Sequence, residues 1–206
     1  MNAESTQKEP QQSLQSQRVV CNIPNAITLS RLLLACVLFL LIDIQGFWIT
    51  SAVLFVFAAS TDFLDGYIAR KYGMVTILGR IMDPFVDKII VGGAFLFLLG
   101  EPDRSGVNAW MVLIVIGREM FISSLRGFLE KQGQDFSAAW SGKVKMTLQC
   151  VAVTCSLLSL SPDYFFNDSW FLLCRDILLW MAIAITLYSG IEYIIRASHL
   201  WSSTDD

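Results

Sequence analysis

Residues 62–87 read DFLDGYIARKYGMVTILGRIMDPFVD, and the four carboxylates in this stretch, Asp62, Asp65, Asp83 and Asp87, decide how the rest of the chain is read. They lie at the facing ends of two strongly apolar segments, roughly 48–69 and 80–99. An ionisable side chain in such a segment is unfavourable enough to be a functional candidate. Four gathered in one place repel one another unless a cation neutralises them. The expectation is a metal site at a membrane surface.

Spacing sharpens this. Asp62 and Asp65 are i,i+3 and Asp83 and Asp87 are i,i+4, so on helices each pair shares a face. In a hairpin, Asp65 and Asp83 are centred on position 74 and Asp62 and Asp87 on 74.5, which puts the carboxylates in two level layers. Gly66 and Gly79 fall on the same stripes and let a backbone or a phosphate come close. Pro84 suits a first helical turn, which makes Asp83 the expected N-cap.

The chain around this stretch is built for lipid. Its 206 residues are 54% hydrophobic and 16% charged, with a mean hydropathy of +0.55. A soluble domain carries about a quarter charged residues. A net charge of −3 gives no support to a nucleic-acid partner, and none is expected. Cys21, Cys36, Cys150, Cys155 and Cys174 form no CxxC pair and read as small apolar packing residues. Residues 1–21 are rich in Gln and Ser, lack the apolar core of a signal peptide and are expected to form a disordered tail. Residues 201–206 form a second tail, leaving one membrane domain over 22–200.

A spanning helix needs about 20 apolar residues. Six segments qualify, roughly 26–44, 48–69, 80–99, 107–128, 144–161 and 170–195. Lys and Arg gather on alternate links: Arg70, Lys71 and Arg80 between the second and third, and Arg126, Lys131, Lys143 and Lys145 between the fourth and fifth. Lys8 and Arg18 precede the first segment, and Arg196 ends the sixth. The other links hold only Arg104, beside Glu101 and Asp103. Basic loops stay in the cytoplasm. The expected fold is all-α: six transmembrane helices, both termini cytoplasmic, and the carboxylates on the cytoplasmic side of a bacterial inner membrane.

Hard oxygen ligands of this kind select Mg²⁺ or Mn²⁺ over zinc. Two such ions suit a diphosphate, and a remaining carboxylate can take a proton from an attacking hydroxyl. Three other readings stay open on spacing alone. The carboxylates could merely pair with Arg70, Lys71, Arg80 and Lys88, they could line a metal-ion transporter's cation pathway, or the chain could be a non-catalytic scaffold.

The pattern Asp62-x-x-Asp65-Gly66-x-x-Ala69-Arg70, eight residues, Gly79-x-x-x-Asp83-x-x-x-Asp87 resembles the complete motif of the CDP-alcohol phosphatidyltransferase family, matching all eight fixed positions. The resemblance implies a six-helix membrane enzyme, often a homodimer. It would transfer a phosphatidyl group from CDP-diacylglycerol to an alcohol and release CMP. It further implies that Asp62, Asp65 and Asp83 bind two divalent ions. Asp87 would assist the metal and act as general base, and Gly66, Ala69, Arg70 and Gly79 would hold the CDP moiety together with Asp62.

Three further blocks bear on the acceptor. They are Asn22-Ile-Pro-Asn25-Ala-Ile-Thr28-Leu-Ser-Arg31, Gly117-Arg118-Glu119 with Leu125-Arg126, and Ser141-Gly142-Lys143-Val144-Lys145-Met146-Thr147 with Gln149. They resemble family members that make phosphatidylglycerophosphate from glycerol 3-phosphate, although Lys145-Met146 stands where those often have Lys-Thr. Asn25 and Thr28 could hydrogen-bond the nucleotide. Arg31 and Glu119, inside apolar segments, need partners. A phosphate-bearing acceptor needs extra positive charge, expected from Arg118, Arg126, Lys143 or Lys145. Inositol phosphate, serine and phosphatidylglycerol remain the alternative acceptors.

Overall fold

Each of the six apolar segments is a helix. The computed structural model describes the backbone of residues 23–72, 77–131 and 140–202, and the side chains of 28–61, 82, 84–129 and 140–198. The long helices are α1 (Ile23–Ile44), α2 (Trp48–Tyr72), α3 (Ile77–Leu98), α4 (Ala109–Lys131), α5 (Trp140–Ser159) and α6 (Ser169–Ser202). A one-turn helix, Pro102–Ser105, and a 3₁₀ turn, Tyr164–Asn167, complete the elements, with no strand among the described residues. The tail expected over 1–21 lies outside the described residues, as do 203–206, while α6 runs through Ser202.

The expected helix start at Asp83 is corrected. Helix α3 begins at Ile77 and carries Pro84 in its interior, so Asp83 is an interior residue and not a cap. Proline has no N–H to give the carbonyl four residues back. Such a break is tolerated in apolar helices whose neighbours satisfy the freed group. The extra turns carry Gly79, Asp83 and Asp87 on one continuous helix.

That helix is the hub of the bundle: α3 packs against α1, α2, α4 and α5. Its core residues Val86, Ile90, Ala94, Phe95 and Leu98 are buried with Leu38 of α1, Phe55 of α2 and Leu157 of α5. Gly93 lets α1 come close, because a Cβ there would run into the ring of Phe39. That ring stacks on Phe97 with centroids 4.9 Å apart and planes 4° from parallel.

The bundle sorts its side chains by size and polarity. The most extensive helix contact is between α5 and α6. On α6 the buried residues include Ala182, Thr186, Ser189, Gly190 and Tyr193, while Trp170, Leu173, Ile177, Trp180, Leu187, Ile191 and Ile195 are exposed. On α1, Thr28, Arg31, Ala35, Leu38 and Ile42 face inward at alternating steps of three and four, and Leu29, Leu33, Leu40 and Ile44 face out. Small and polar inside, large and apolar outside, is the arrangement favoured when the surroundings are themselves apolar. Among the described residues one helix, Ser169–Ser198, is long and apolar enough to cross a membrane by length and composition, and Trp48–Thr61 is a shorter apolar run.

At the end of the bundle remote from Asp87, buried Arg175 closes the links. It donates to the Arg104 carbonyl and to Ser159 Oγ (3.2 Å) and pairs with Asp176 (2.8 Å). Gly106, with φ of 74°, ends the one-turn helix beside it; a Cβ there would lie 2.9 Å from Arg175 Nε. Cys36, Cys155 and Cys174 are free thiols.

Candidate active site

A cavity of about 520 Å³ opens beside Asp87 and is walled by three helices. Helix α3 supplies Pro84, Asp87, Lys88, Val91 and Gly92. From α4 come Arg118, Ile122 and Arg126 on one stripe and Glu119, Ser123 and Gly127 on the next, each at i,i+4 spacing. Lys145, Met146 and Gln149 of α5 close the third side. Three of the four expected phosphate ligands, Arg118, Arg126 and Lys145, thus share one cavity with Asp87. Lys143, two residues before Lys145 on α5, is exposed and does not line it.

Among the described residues the lining holds four cations, Lys88, Arg118, Arg126 and Lys145, and two carboxylates, Asp87 and Glu119. Their partners answer two questions left by the sequence. Arg31, 1% exposed on α1, forms an ion pair with Asp87. Glu119 accepts from Lys145 and, at 3.0 Å, from Arg118 Nη1. Lys88 donates to Ser123 Oγ, whose hydroxyl donates to the Glu119 carbonyl.

Helix α6 backs the arginines from behind the cavity wall. Arg118 Nη2 donates to Ser189 Oγ at 2.7 Å, and Arg126 Nη2 to the Tyr193 hydroxyl at 3.1 Å. Gln149 Nε2 donates to Thr186 Oγ1 at 2.9 Å. The Nε groups of Arg118 and Arg126 are buried with no hydrogen-bond partner among the described residues.

The remaining expected residues are placed by backbone alone. Asp62, Asp65, Gly66, Ala69 and Arg70 are on α2 and Gly79 and Asp83 on α3, with their side chains outside the described residues, as is that of Asn25 on α1. Among the described residues no group of three or more potential metal ligands comes together. Thr28 is buried one turn before Arg31 on α1, the helix that reaches Asp87.

Sequence reading missed Ser123, Ser189 and Tyr193. The available signal was polar residues recurring at i,i+3 and i,i+4 within the apolar run of α6, at Thr186, Ser189 and Tyr193.

A helical bundle with small and polar residues inside thus holds a cavity lined by Lys, Arg and two carboxylates against its central helix, and the carboxylate motif is shared between that helix and α2. Residues 21–188 match the family model for CDP-alcohol phosphatidyltransferase. The chain belongs to that family. It is similar to proteins named CDP-diacylglycerol–glycerol-3-phosphate 3-phosphatidyltransferase. The Bacillus subtilis (strain 168) protein is 34% identical over 190 residues, covering 85% of this chain and 94% of that protein. The Rickettsia prowazekii (strain Madrid E) protein is 34% identical, covering 85% and 95%. The Pseudomonas fluorescens protein is 35% identical, covering 85% and 90%.

Proposed function

We propose that this chain transfers the phosphatidyl group of CDP-diacylglycerol to glycerol 3-phosphate, giving phosphatidylglycerophosphate and CMP. The observation that carries a phosphate-bearing acceptor is the convergence of Lys88, Arg118, Arg126 and Lys145 on the cavity that Asp87 lines. A neutral alcohol needs no such charge, and a divalent-cation pathway would be opposed by it.

In the reaction, the primary hydroxyl of glycerol 3-phosphate attacks the lipid-side phosphorus. Its proton passes to the Asp87 carboxylate, the new P–O bond forms, and the bond to CMP breaks. Arg31 holds the Asp87 carboxylate in one orientation. Arg118, Arg126 and Lys145 hold the acceptor's own phosphate so that its hydroxyl faces Asp87. Asn25, Thr28, Asp62, Gly66, Ala69, Arg70 and Gly79 hold the CDP moiety, with Lys143 an outlying positive charge.

The donor set fits a divalent metal, since Asp62, Asp65, Asp83 and Asp87 offer only hard oxygen ligands on two packed helices. Those four would hold Mg²⁺ or Mn²⁺, two ions in our reading, which when bound offset the negative charge of the diphosphate.

The exposed apolar faces of α1 and α6, together with the Ser169–Ser198 span, support six transmembrane helices. The distribution of Lys and Arg supports cytoplasmic termini and an active site on the cytoplasmic face of the inner membrane. The acyl chains of the donor then stay in the bilayer while the soluble acceptor enters from the cytoplasm. A homodimer is expected from the family.

The test is CMP release by purified protein given CDP-diacylglycerol and, in turn, glycerol 3-phosphate, inositol phosphate, serine and phosphatidylglycerol. Release with glycerol 3-phosphate alone is expected. Release only with another acceptor would overturn the assignment.

A further inference from the structure

Arg118 and Arg126 lie two turns apart on α4, and the group between and behind them is the side chain of Tyr193. This tyrosine is 2% exposed and sits in a small apolar cluster of its own with Ile122, Leu129 and Ala197. Its ring centroid lies 5.5 Å from the Arg118 guanidinium carbon and 5.8 Å from that of Arg126. Its hydroxyl accepts from Arg126 Nη2 at 3.1 Å. One rigid aromatic group on α6 therefore touches both arginines at once.

Gly190 and Gly142 flank the arrangement without being required by it: a Cβ would make only ordinary contact, 3.4 Å from Arg118 Cγ at Gly190 and 3.7 Å from the Tyr193 hydroxyl at Gly142. Two guanidinium groups on one helix face repel each other and have long, mobile stems. An aromatic face attracts both cations, and its two torsions are few enough to be locked by packing. Positioning groups of this kind act by fixing geometry before the ligand arrives.

We propose that Tyr193 is a positioning residue for the acceptor: it holds Arg118 and Arg126 in the one orientation in which both present N–H groups to a phosphate. This rests on the reading of those arginines as the acceptor-phosphate site. Tyr193 itself need not touch substrate. Its effect is exerted on acceptor binding and not on the donor.

The test uses the purified full-length enzyme, following CMP release with each substrate varied separately, with inorganic phosphate as a competing probe. Tyr193→Phe keeps the ring and removes the hydroxyl, so the KM for glycerol 3-phosphate and the inhibition constant for phosphate should both rise about tenfold. The KM for CDP-diacylglycerol should hold, while the thermal unfolding midpoint falls modestly because Arg126 Nη2 loses its acceptor. Tyr193→Leu removes the ring as well and should raise the acceptor KM further; if it fails to fold, Tyr193→Phe decides. Unchanged acceptor KM in Tyr193→Phe overturns the proposal, as does a rise in both KM values. Arg118→Gln and Arg126→Gln separate the two levels. If they raise the acceptor KM while Tyr193→Phe does not, only the role of Tyr193 falls. If neither raises it, the phosphate site itself is wrong.

Discussion

Arg31 of α1 is ion-paired with Asp87 of α3 across 56 residues of sequence, and this pair joins the N-terminal helix to the carboxylate motif. The guanidinium is nearly inaccessible at 1% exposure, while the carboxylate keeps 21% and so remains open to the cavity. Arg31 thus reaches the reacting region from behind.

Removing the arginine should therefore damage both position and fold. Arg31→Met leaves a partly buried carboxylate without this partner, a change that costs about 3–5 kcal/mol when it breaks a buried pair. The expected outcome is a fall of about a hundredfold or more in CMP release, with a lower unfolding midpoint in detergent. Arg31→Lys keeps the charge but not the planar fork and should recover only part of the activity. Full activity in Arg31→Met would mean that Asp87 needs no orienting partner.

Asp87→Asn tests the base more directly. The amide is nearly the same size but takes no proton, and loss of a general base lowers rates by about 10²–10⁴. Arg31 can still donate to the amide oxygen, so the helix contact should survive. The expected variant is folded, with an unfolding midpoint near that of the parent, and nearly silent for CMP release. Retained turnover would remove Asp87 from the chemistry.

The two lysines of α5 make a paired comparison. Lys145 lines the cavity and bonds to Glu119, whereas Lys143 is exposed. Lys145→Gln should raise the KM for glycerol 3-phosphate by about ten- to a hundredfold, as expected for losing a charge-assisted hydrogen bond. Lys143→Gln should change it less than about twofold, since exposed charges contribute little. Equal effects would place the acceptor's phosphate outside the cavity.

Much of this was legible before any coordinates. The six helices followed from runs of about 20 apolar residues, and the carboxylate motif fell on α2 and α3 at helical spacing. What the sequence hid was phase and partnership. In an apolar environment both faces of a helix are apolar, so hydropathy could not tell that Leu38 faces in and Leu40 out, or that Lys145 faces the cavity and Lys143 does not. The Arg31–Asp87 pair depends on α1 packing against α3, a long-range contact that no local pattern encodes. Pro84 misled because proline usually marks a first turn, whereas here the helix continues through it. Tyr193 went unseen because an aromatic residue in an apolar span reads as lipid-facing until the helix packing turns it inward.

Glu119 and Lys145 should behave as one unit in stability. Glu119 takes bonds from Lys145 and Arg118, and all three side chains are largely buried. Lys145→Met alone leaves the carboxylate with less compensation, and Glu119→Gln alone leaves two cations facing each other. The double variant removes one charge of each sign and leaves Arg118 bonded to Ser189. It should lose less stability than the sum of the singles, with a coupling of about 0.5–3 kcal/mol. The measurement is a double-mutant cycle on unfolding midpoints of the purified protein in one detergent. Strict additivity would show that the two side chains act independently. Acceptor binding should not recover in the double variant, because that cavity has lost a cation that the phosphate needs.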